Sequence, residues 1–270
     1  KTTDDCGVVL KYLPDESIYV VNGEQFNMKL TYKEDIFLLD KLFQLRSIRN
    51  QPTLLVKSDI EELHGKVVVV FGGTYGIGQE ICEICREYKT TLYVYSRSTG
   101  VDVSNSQSVR RVLSEIYEKE GRIDWIVNTA GILDKQPLAN MSYEVVHRSI
   151  DINYLGNIIV AKESFSYLKE SKGSLLFFTS SSYTRGRALY SLYSSSKAAI
   201  VNFVQALSEE WFEYDIRVNC INPERTKTPM RIQNFGNEPE DTLLEPKVVA
   251  IVSVNTLLSE MTGEVVDVKR

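Results

Sequence analysis

Several residue types that mark particular classes of site are scarce in this sequence. Four cysteines in 270 residues are too few and too scattered for a disulfide framework. Cys82 and Cys85 form a CxxC pair inside an apolar helical pattern, which favours small buried side chains over zinc or redox chemistry. The two histidines, His64 and His147, lie far apart without carboxylate or cysteine neighbours at metal-ligand spacing. The sequence therefore predicts no metal site, and reduced thiols as in the cytosol.

Marks of a membrane or nucleic-acid partner are also missing. No run of about 18 apolar residues could cross a bilayer, and no charged-then-apolar signal segment opens the chain. The formal net charge of -5 argues against a broad surface for binding phosphate backbones. We therefore expect a cytoplasmic protein that binds neither a membrane nor nucleic acid.

From residue 66 onward, apolar runs typical of buried strands alternate with helical patterns. The runs are KVVVVF, TLYVYS, DWIVN, GSLLFFTS and IRVNCI, and the helical stretches lie around residues 79–87, 106–118, 142–169 and 194–212. Strands without polar alternation are typical of a parallel sheet covered on both faces. The pattern predicts an α/β fold with a doubly wound parallel sheet and a ligand crevice at the carboxyl ends of its strands.

The first fifty residues have a different pattern. Three short runs, GVVLKYL, SIYVV and FNMKLT, are separated by turn-forming pairs and could form a small β-arm. Thr31 and Glu34 have capping-box spacing and open an amphipathic helix that we expect to end near Arg49. A connector containing a short helix follows. The predicted organisation is an N-terminal segment, a linker and a larger α/β domain, at residues 1–50, 51–65 and 66–270.

The first strand of the larger part runs directly into Gly72-Gly73-Thr74-Tyr75-Gly76-Ile77-Gly78 and then a helix. Such a turn lets a dinucleotide pyrophosphate lie against bare backbone and a helix N-terminus. The second strand ends at Arg97 and Ser98, where NAD-preferring sites commonly place an acidic residue. Arg97 suits a 2'-phosphate instead, which favours NADPH over NADH. Asp102 and Val103 follow, where an adenine ring could be edged by a carboxylate and backbone.

Tyr193 and Lys197 stand four residues apart, and hence on one face of a helix. A cation at that position lowers the pKa of a phenol, whose unperturbed value of about 10 is too high for a general acid near neutral pH. The pair is common by chance, so its significance depends on the other motifs and their order.

Those motifs occur in the order found in the short-chain dehydrogenase/reductase family, which residues 66–269 resemble. The matching segments are the glycine turn, Asn128-Thr129-Ala130-Gly131, Asp151-Ile152-Asn153, Ser180 at the usual interval before Tyr193, Asn222-Pro223 through Thr228-Pro229-Met230, and Thr262-Gly263. The sequence departs from the family at Phe71, at Glu224 and in a short interval from Arg97 to Asp102. The first two departures predict local repacking, and the third predicts a missing helix beside the adenosine pocket.

The resemblance implies a role for each matching residue. Tyr193 would donate the proton to a carbonyl oxygen that Ser180 polarises, with Ser181 or Ser182 as alternatives for the serine. Lys197 would hold the nicotinamide ribose and acidify Tyr193, while Asn153 would hold a water linking Lys197 to solvent. The implied catalytic residues are Asn153, Ser180, Tyr193 and Lys197. The implied cofactor residues are Gly72, Thr74, Tyr75, Gly76, Ile77, Arg97, Ser98, Asp102, Val103, Asn128, Ala130, Gly131, Lys197 and Thr228, with Thr228 on the carboxamide.

Residues 1 to about 46 resemble the tail of a sugar-phosphate or methylerythritol-phosphate cytidylyltransferase. The matching residues are Thr3-Asp4-Asp5, Val21-Asn22-Gly23, Asn27-Met28-Lys29-Leu30-Thr31 and Glu34-Asp35. In that family the equivalent arm reaches across a dimer, and a lysine matching Lys29 contacts the substrate phosphate. The nucleotide-binding loop of that family is absent from this sequence, so we do not expect this chain alone to make a CDP-linked product.

A cytidylyltransferase ahead of a short-chain reductase resembles bifunctional bacterial enzymes of capsule synthesis. That resemblance implies NADPH-dependent reduction of D-ribulose 5-phosphate to D-ribitol 5-phosphate, which the fused domain converts to CDP-ribitol. It predicts a phosphate-binding cation near Tyr193, although for each candidate taken singly a solvated surface charge is the commoner role. The candidates are Lys135, Arg185, Arg187, Lys227 and Arg231.

Two other functions remain open. One is reduction of another sugar phosphate or a ketone, with the N-terminal piece serving only for oligomerisation. The other is a cofactor-binding module without catalysis, against which the intact Ser180, Tyr193 and Lys197 count. The family resemblance also implies a homo-oligomer, a dimer or tetramer, through the helices from Ser142 and Ser194. Their apolar stripes equally suit packing on the sheet.

Overall fold

A computed structural model describes residues 5–19, 21–23, 28–44, 48–49 and 63–270. The chain divides into two compact units, residues 1–46 and 47–270, which we describe separately. The predicted linker at residues 51–65 lies outside the described residues except for its last three positions. No helix in the described ranges is both long enough and apolar enough to cross a membrane.

The described residues of the first unit form two helices, α1 at Asp5–Tyr12 and α2 at Lys33–Gln44. The predicted β-arm is therefore wrong at GVVLKYL, which lies largely in α1. Asp5 in the first turn and Lys11 in the last turn complement the helix dipole, and no residue of α1 is buried. The described parts of SIYVV and FNMKLT are not strand either.

The start and end of α2 also differ from expectation. The Asp35 carboxylate accepts hydrogen bonds from the backbone N–H groups of Thr31 and Tyr32, each at 2.8 Å. Asp35, and not the predicted Thr31–Glu34 pair, therefore satisfies the amides that precede the helix. The helix ends at Gln44 and does not reach Arg49, because Ile48–Arg49 is a strand of the second unit.

The second unit is built on one parallel sheet. Its described strands are β1 Ile48–Arg49, β2 Val67–Phe71, β3 Thr91–Tyr95, β4 Trp125–Asn128, β5 Ser174–Phe178, β6 Arg217–Pro223 and β7 Val265–Val268. Their order is β1-β7-β6-β5-β4-β2-β3, and every pair is parallel. The chain moves outward from β2 to β3 and then returns to β4 on the other side of β2. This reversal confirms the predicted doubly wound topology.

Helices cover both faces of this sheet. The described helices of this unit are α3 Gly76–Glu87, α4 Ser106–Glu120, α5 Tyr143–Ile150, α6 Gly156–Ser171, α7 Ser191–Glu210, α8 Pro229–Phe235 and α9 Pro246–Leu258. Successive residues of β2 face opposite layers: Val69 and Phe71 pack with α4, α6 and α7, while Val68 and Val70 pack with α3 and α9. This explains why β2 is apolar throughout.

Two predictions about this unit are settled by its local structure. Cys82 and Cys85 are buried in the α3 layer, and burial raises the pKa of their thiols to about 12 and about 11. They are core side chains, as the apolar pattern indicated.

Only a 3-10 turn, Arg97–Thr99, stands between β3 and the Asp102 loop, and Gly100 follows it in the left-handed region. The missing helix is therefore confirmed.

Candidate active site

Loops at the carboxyl ends of β2 to β6 surround a cavity of about 430 Å³. Parallel strands present these ends at one edge of the sheet, and the chain leaves the neighbouring strands β2 and β4 towards opposite sides, to β3 and to β5. The volume lies in the range of small-molecule sites, about 300–1,000 Å³. Its lining includes Gly72, Tyr75, Gly76, Ile77, Arg97, Asp102, Val103, Ala130, Gly131, Ser180, Tyr193, Lys197 and Thr228.

The β2–α3 turn requires glycine for two different reasons. Gly72 and Gly76 have φ of +81° and +63°, a region that favours glycine. A Cβ on Gly72 would lie 2.6 Å from the backbone nitrogen of Ala130, and one on Gly78 would lie 2.5 Å from the Gly72 carbonyl oxygen. Thr74 Oγ1 in the same turn is buried and has no hydrogen-bond partner in the described part of the chain. The bare backbone, the unpaired hydroxyl and the N-terminus of α3 fit a dinucleotide pyrophosphate.

At the other end of the cavity, Arg97 is exposed and lines the wall beside Asp102 and Val103. Arg97 makes no ion pair with the described residues. Asp102 accepts hydrogen bonds from the Ser104 backbone and hydroxyl, at 2.9 and 2.7 Å, which fixes its side chain. Ser98 lies outside the lining, and its hydroxyl is 2.7 Å from that of Ser96. Arg97 is thus available to an anionic group at this end.

Asn153 lies in a π-helical segment, Asp151–Leu155, between α5 and α6. Its side chain is fully buried and bonds both backbone groups of Ile132, accepting from N and donating to O at 2.9 Å each. A Cβ on Gly131 would lie 3.2 Å from Asn153 Oδ1 and 3.8 Å from Lys197 Nζ. Asn153 therefore holds the loop after β4 close to the lysine. π-helical bulges are frequent at functional sites.

Two further amide side chains, Asn157 and Asn128, support this arrangement through hydrogen bonds. Asn157 donates to the Asn153 carbonyl at 2.8 Å, and Asn128 donates to Asn157 at 2.9 Å. The Asn128 side-chain oxygen accepts from the backbone nitrogen of Ala130 at 3.1 Å. Asn128 is buried outside the cavity lining, so its contacts position the loop after β4.

Tyr193 and Lys197 both face the cavity from α7, as their spacing predicted. Lys197 is 6% exposed, its Nζ lies 5.5 Å from the Tyr193 ring centroid, and burial lowers its pKa to about 8. Burial raises the pKa of Tyr193 to about 12. A hydrogen bond with Ser180 and the charge of Arg231 act in the opposite direction but have smaller effects. Lys197 is not among the groups that lower the pKa of Tyr193, contrary to the prediction, and its ammonium donates a hydrogen bond to the Phe178 carbonyl at 2.7 Å. Tyr193 therefore keeps its proton at neutral pH.

The three adjacent serines differ in their surroundings. Ser180 hydrogen-bonds with Tyr193, and its Oγ caps the following 3-10 turn by accepting from the Ser182 backbone at 3.4 Å. Ser182 is 2% exposed, and its hydroxyl lies 3.3 Å from that of Ser180. Ser181 is exposed. The geometry favours Ser180 as the hydroxyl that would meet a carbonyl beside the phenol.

Other predicted residues are distributed around the entrance. Thr228 caps α8, accepting from the Arg231 backbone at 3.2 Å, and lines the cavity opposite Gly76. Among the phosphate candidates, Arg187 and Arg231 line the cavity, whereas Lys135, Arg185 and Lys227 do not. Lys227 instead pairs with Glu240.

Arg225 lines the cavity but was not among the predicted phosphate-binding residues. Arg225 lies in the loop after β6, between Glu224 and the predicted cofactor residue Thr228. This position in the sequence could have identified it as a residue near the cavity.

A family model described as short chain dehydrogenase matches residues 98–239. The chain belongs to the short-chain dehydrogenase family. It is therefore an oxidoreductase with a fold that binds nicotinamide cofactors.

A curated relative from Haemophilus influenzae is named a bifunctional ribulose 5-phosphate reductase/CDP-ribitol pyrophosphorylase. It is 49% identical to this chain over 266 residues, which are 98% of this chain and 56% of that protein. This family member thus spans about half the length of that relative. The predicted resemblance to a bifunctional enzyme of this kind is confirmed.

Solved structures confirm the fold. A 3-ketoacyl-(acyl-carrier-protein) reductase from Brucella melitensis, complexed with NADH, is 21% identical with a TM-score of 0.70, covering 76% of this chain and 97% of that one. A small-chain dehydrogenase in complex with NADPH is 27% identical with a TM-score of 0.66, with the same two coverages of 76% and 97%. The two complexes carry different nicotinamide cofactors.

Proposed function

We propose that this chain reduces D-ribulose 5-phosphate to D-ribitol 5-phosphate with NADPH. The observation that carries the proposal is the 49% identity to a relative named for that reductase activity. The presence of Ser180, Tyr193 and Lys197 together in one cavity supports catalysis and counts against a non-catalytic binding module.

The proposed chemistry assigns one task to each of these residues. Ser180 and Tyr193 donate hydrogen bonds to the C2 carbonyl oxygen of the sugar and orient it. A nicotinamide held in this cavity would supply the hydride for C2. Tyr193 gives its proton to the oxygen, so the C=O bond becomes CH–OH. Lys197 would hold the nicotinamide ribose and keep a positive charge close to the phenol. Asn153 would hold a water that links Lys197 to solvent, and Tyr193 would regain its proton along this path.

NADPH is proposed over NADH because of Arg97. Its exposed guanidinium stands at the end of β3 without an ion pair in the described part of the chain, and a 2'-phosphate would supply its counter-charge. The other proposed contacts to NADPH are Gly72, Tyr75, Gly76, Ile77, Ala130, Gly131 and Thr228, with Asp102 and Val103 at the adenine.

The first unit is proposed to be part of a cytidylyltransferase domain, as in the bifunctional relative. That domain would convert the ribitol 5-phosphate made by the reductase to CDP-ribitol, which is used for a capsule polymer. Assembly as a homo-oligomer is part of the same proposal. The alternative is a reductase of another sugar phosphate or of a ketone.

The decisive assay mixes the protein with NADPH and D-ribulose 5-phosphate and follows absorbance of the reduced nicotinamide. Unphosphorylated ribulose and NADH are parallel controls, and Tyr193→Phe is the blank. We expect rapid oxidation of NADPH with the phosphorylated sugar and loss of it in the variant. Binding of NADPH without turnover of the sugar phosphate would contradict the proposed substrate.

A further inference from the structure

Four charged side chains lie close together beside the cavity, of which Arg225 and Arg231 line it and Lys135 and Glu238 do not. Arg231 makes a two-point contact with Glu238, from Nε at 2.6 Å and from Nη2 at 2.8 Å. Arg225 Nη1 lies 3.8 Å from the same carboxylate, and the charge of Lys135 also acts on it. The side chains of Arg231 and Glu238 are only about one-fifth exposed, at 21% and 18%. We call Lys135, Arg225, Arg231 and Glu238 the entrance cluster.

Aromatic rings connect this cluster to the proposed proton donor. The Arg231 guanidinium carbon is 3.7 Å from the Phe235 ring centroid, and Lys135 Nζ is 4.4 Å from the same centroid. Phe235 contacts Tyr190 edge-on at 6.1 Å, and Tyr190 contacts Tyr193 at 6.4 Å. Packing against a ring fixes the plane of the guanidinium. The cations therefore stand at a defined place, two rings away from Tyr193.

The charges of the entrance cluster do not cancel. Arg231 holds the pKa of Glu238 below its ordinary value, so this carboxylate is ionised near neutral pH. Three cations facing one carboxylate leave two positive charges unbalanced. A phosphate monoester carries about -1.5 to -2 at pH 7 and has three acceptor oxygens. Its charge and its three oxygens therefore suit a set of three cations better than a single carboxylate does.

Glu238 marks the position of an oxyanion in this cluster. A guanidinium fork binds a carboxylate and a phosphate with the same two-point geometry, so only one of them can occupy Nε and Nη2 of Arg231. Glu238 follows the end of α8 and Gly236, and lies outside any helix or strand. Its side chain can leave Arg231 without disrupting an element of the fold.

We propose that Arg231, with Arg225 and Lys135, binds the phosphate of the sugar substrate, and that Glu238 is the carboxylate that this phosphate displaces. This inference rests on the proposed function, because it concerns the same site and substrate class. Glu238 then acts as a specificity-determining residue. A phosphorylated sugar can replace its charge on Arg231, and an uncharged sugar cannot.

The test compares kcat and KM for D-ribulose 5-phosphate and for ribulose in Arg231→Gln and Glu238→Gln. Arg231→Gln should raise KM for the phosphorylated sugar about 10- to 100-fold, far beyond any change with ribulose, since a charge-assisted contact is lost. Glu238→Gln should lower that KM by about 3- to 10-fold, because an unpaired, partly buried guanidinium gains more from an incoming anion. Arg225→Gln, at a more exposed arginine, should raise it by a smaller factor.

Arg110→Gln and Glu163→Gln are matched controls. Arg110 and Glu163 form a similar two-point pair, at 2.8 and 3.0 Å, outside the cavity lining. Neither control should change KM for either sugar. A rise in KM in Glu238→Gln, or equal effects of Arg231→Gln on both sugars, would overturn the proposal. Thermal melting identifies any variant that is misfolded. If Arg231→Gln is misfolded, the KM values of Arg225→Gln for the two sugars are compared instead.

Binding of D-ribitol 5-phosphate and of ribitol, measured by calorimetry, separates this inference from the proposed function. Binding that depends on the phosphate and on Arg231, without turnover of D-ribulose 5-phosphate, would contradict the function and support the site. Normal turnover and binding in Arg231→Gln would support the function and contradict the site. No binding of the phosphorylated alcohol to the wild type would contradict the site as well.

Discussion

The ammonium of Lys197 donates a hydrogen bond to the main-chain carbonyl of Phe178 at 2.7 Å. This bond joins α7 to the last residue of β5, directly before Thr179 and Ser180. Thr179 makes the reverse connection, donating from its hydroxyl to the Lys197 carbonyl at 2.7 Å. The two bonds hold the proposed catalytic serine and lysine in register across two elements that are separate in sequence.

The first prediction concerns pH. Burial lowers the pKa of Lys197 to about 8 and raises that of Tyr193 to about 12. The positive charge of Lys197 is present below about pH 8 and is lost above it, whereas Tyr193 stays protonated throughout. The kcat/KM for carbonyl reduction should therefore fall above about pH 8. Rate measurements from pH 6 to 10 check this, and Lys197→Arg should move the fall to higher pH. A wild-type rate that stays constant to pH 10 would contradict the assignment.

The second prediction concerns the proton donor and its neighbour. Tyr193→Phe should lower kcat by about 100- to 10,000-fold, as expected for loss of a general acid. Ser180→Ala should lower it by about 100- to 1,000-fold through loss of one hydrogen bond to the developing oxyanion. Steady-state kinetics measures both, and fluorescence titration with NADPH should show binding retained. Ser181→Ala, at the exposed neighbour, should have little effect; a large loss there would reassign the serine.

The third prediction concerns the turn after β2. Gly72→Ala combines an unfavourable φ of +81° with a Cβ only 2.6 Å from the Ala130 nitrogen. We expect weaker NADPH binding by at least about 10-fold and a lower melting temperature, because backbone on both sides must shift. Gly121→Ala is the matched control, with a φ of +71° and no atom within 4 Å of the added Cβ. Equal effects of the two substitutions would show that the close approach is unimportant.

The fourth prediction concerns cofactor choice. Arg97→Gln should raise KM for NADPH about 10- to 100-fold and leave KM for NADH nearly unchanged, since only the 2'-phosphate loses its partner. Arg111→Gln, at an exposed residue of α4 paired with Glu115, is the control and should change neither value. Parallel kinetics with both cofactors measures the shift. An unchanged NADPH preference in Arg97→Gln would remove the basis for proposing a 2'-phosphate contact.

Sequence patterns were reliable where a local rule determines the structure. The apolar runs predicted the strands β2 to β6. In β2, β4 and β5 every residue is buried, because a strand covered on both faces is shielded from water at every position. The edge strand β3 is only partly buried. The spacing of Tyr193 and Lys197 placed both on one face of α7, because helical geometry fixes that relation.

Local patterns failed where two structures compete closely. The GVVLKYL run has β-forming residues but lies largely in α1, and Asp35 replaces the expected cap of α2. A short hairpin without further strands is marginal, so β propensity alone does not decide such a segment.

The amino-acid sequence by itself determined the parallel α/β sheet, the glycine turn and the presence of Ser180, Tyr193 and Lys197, because each depends on local periodicity or on residue identity. Only the tertiary structure decided the pKa of Tyr193 and the composition of the entrance cluster. Burial of the phenol depends on what packs around it, and the cluster brings Lys135 beside Arg225 and Arg231 from a distant loop. Such surroundings depend on long-range packing, which no local pattern in the sequence encodes.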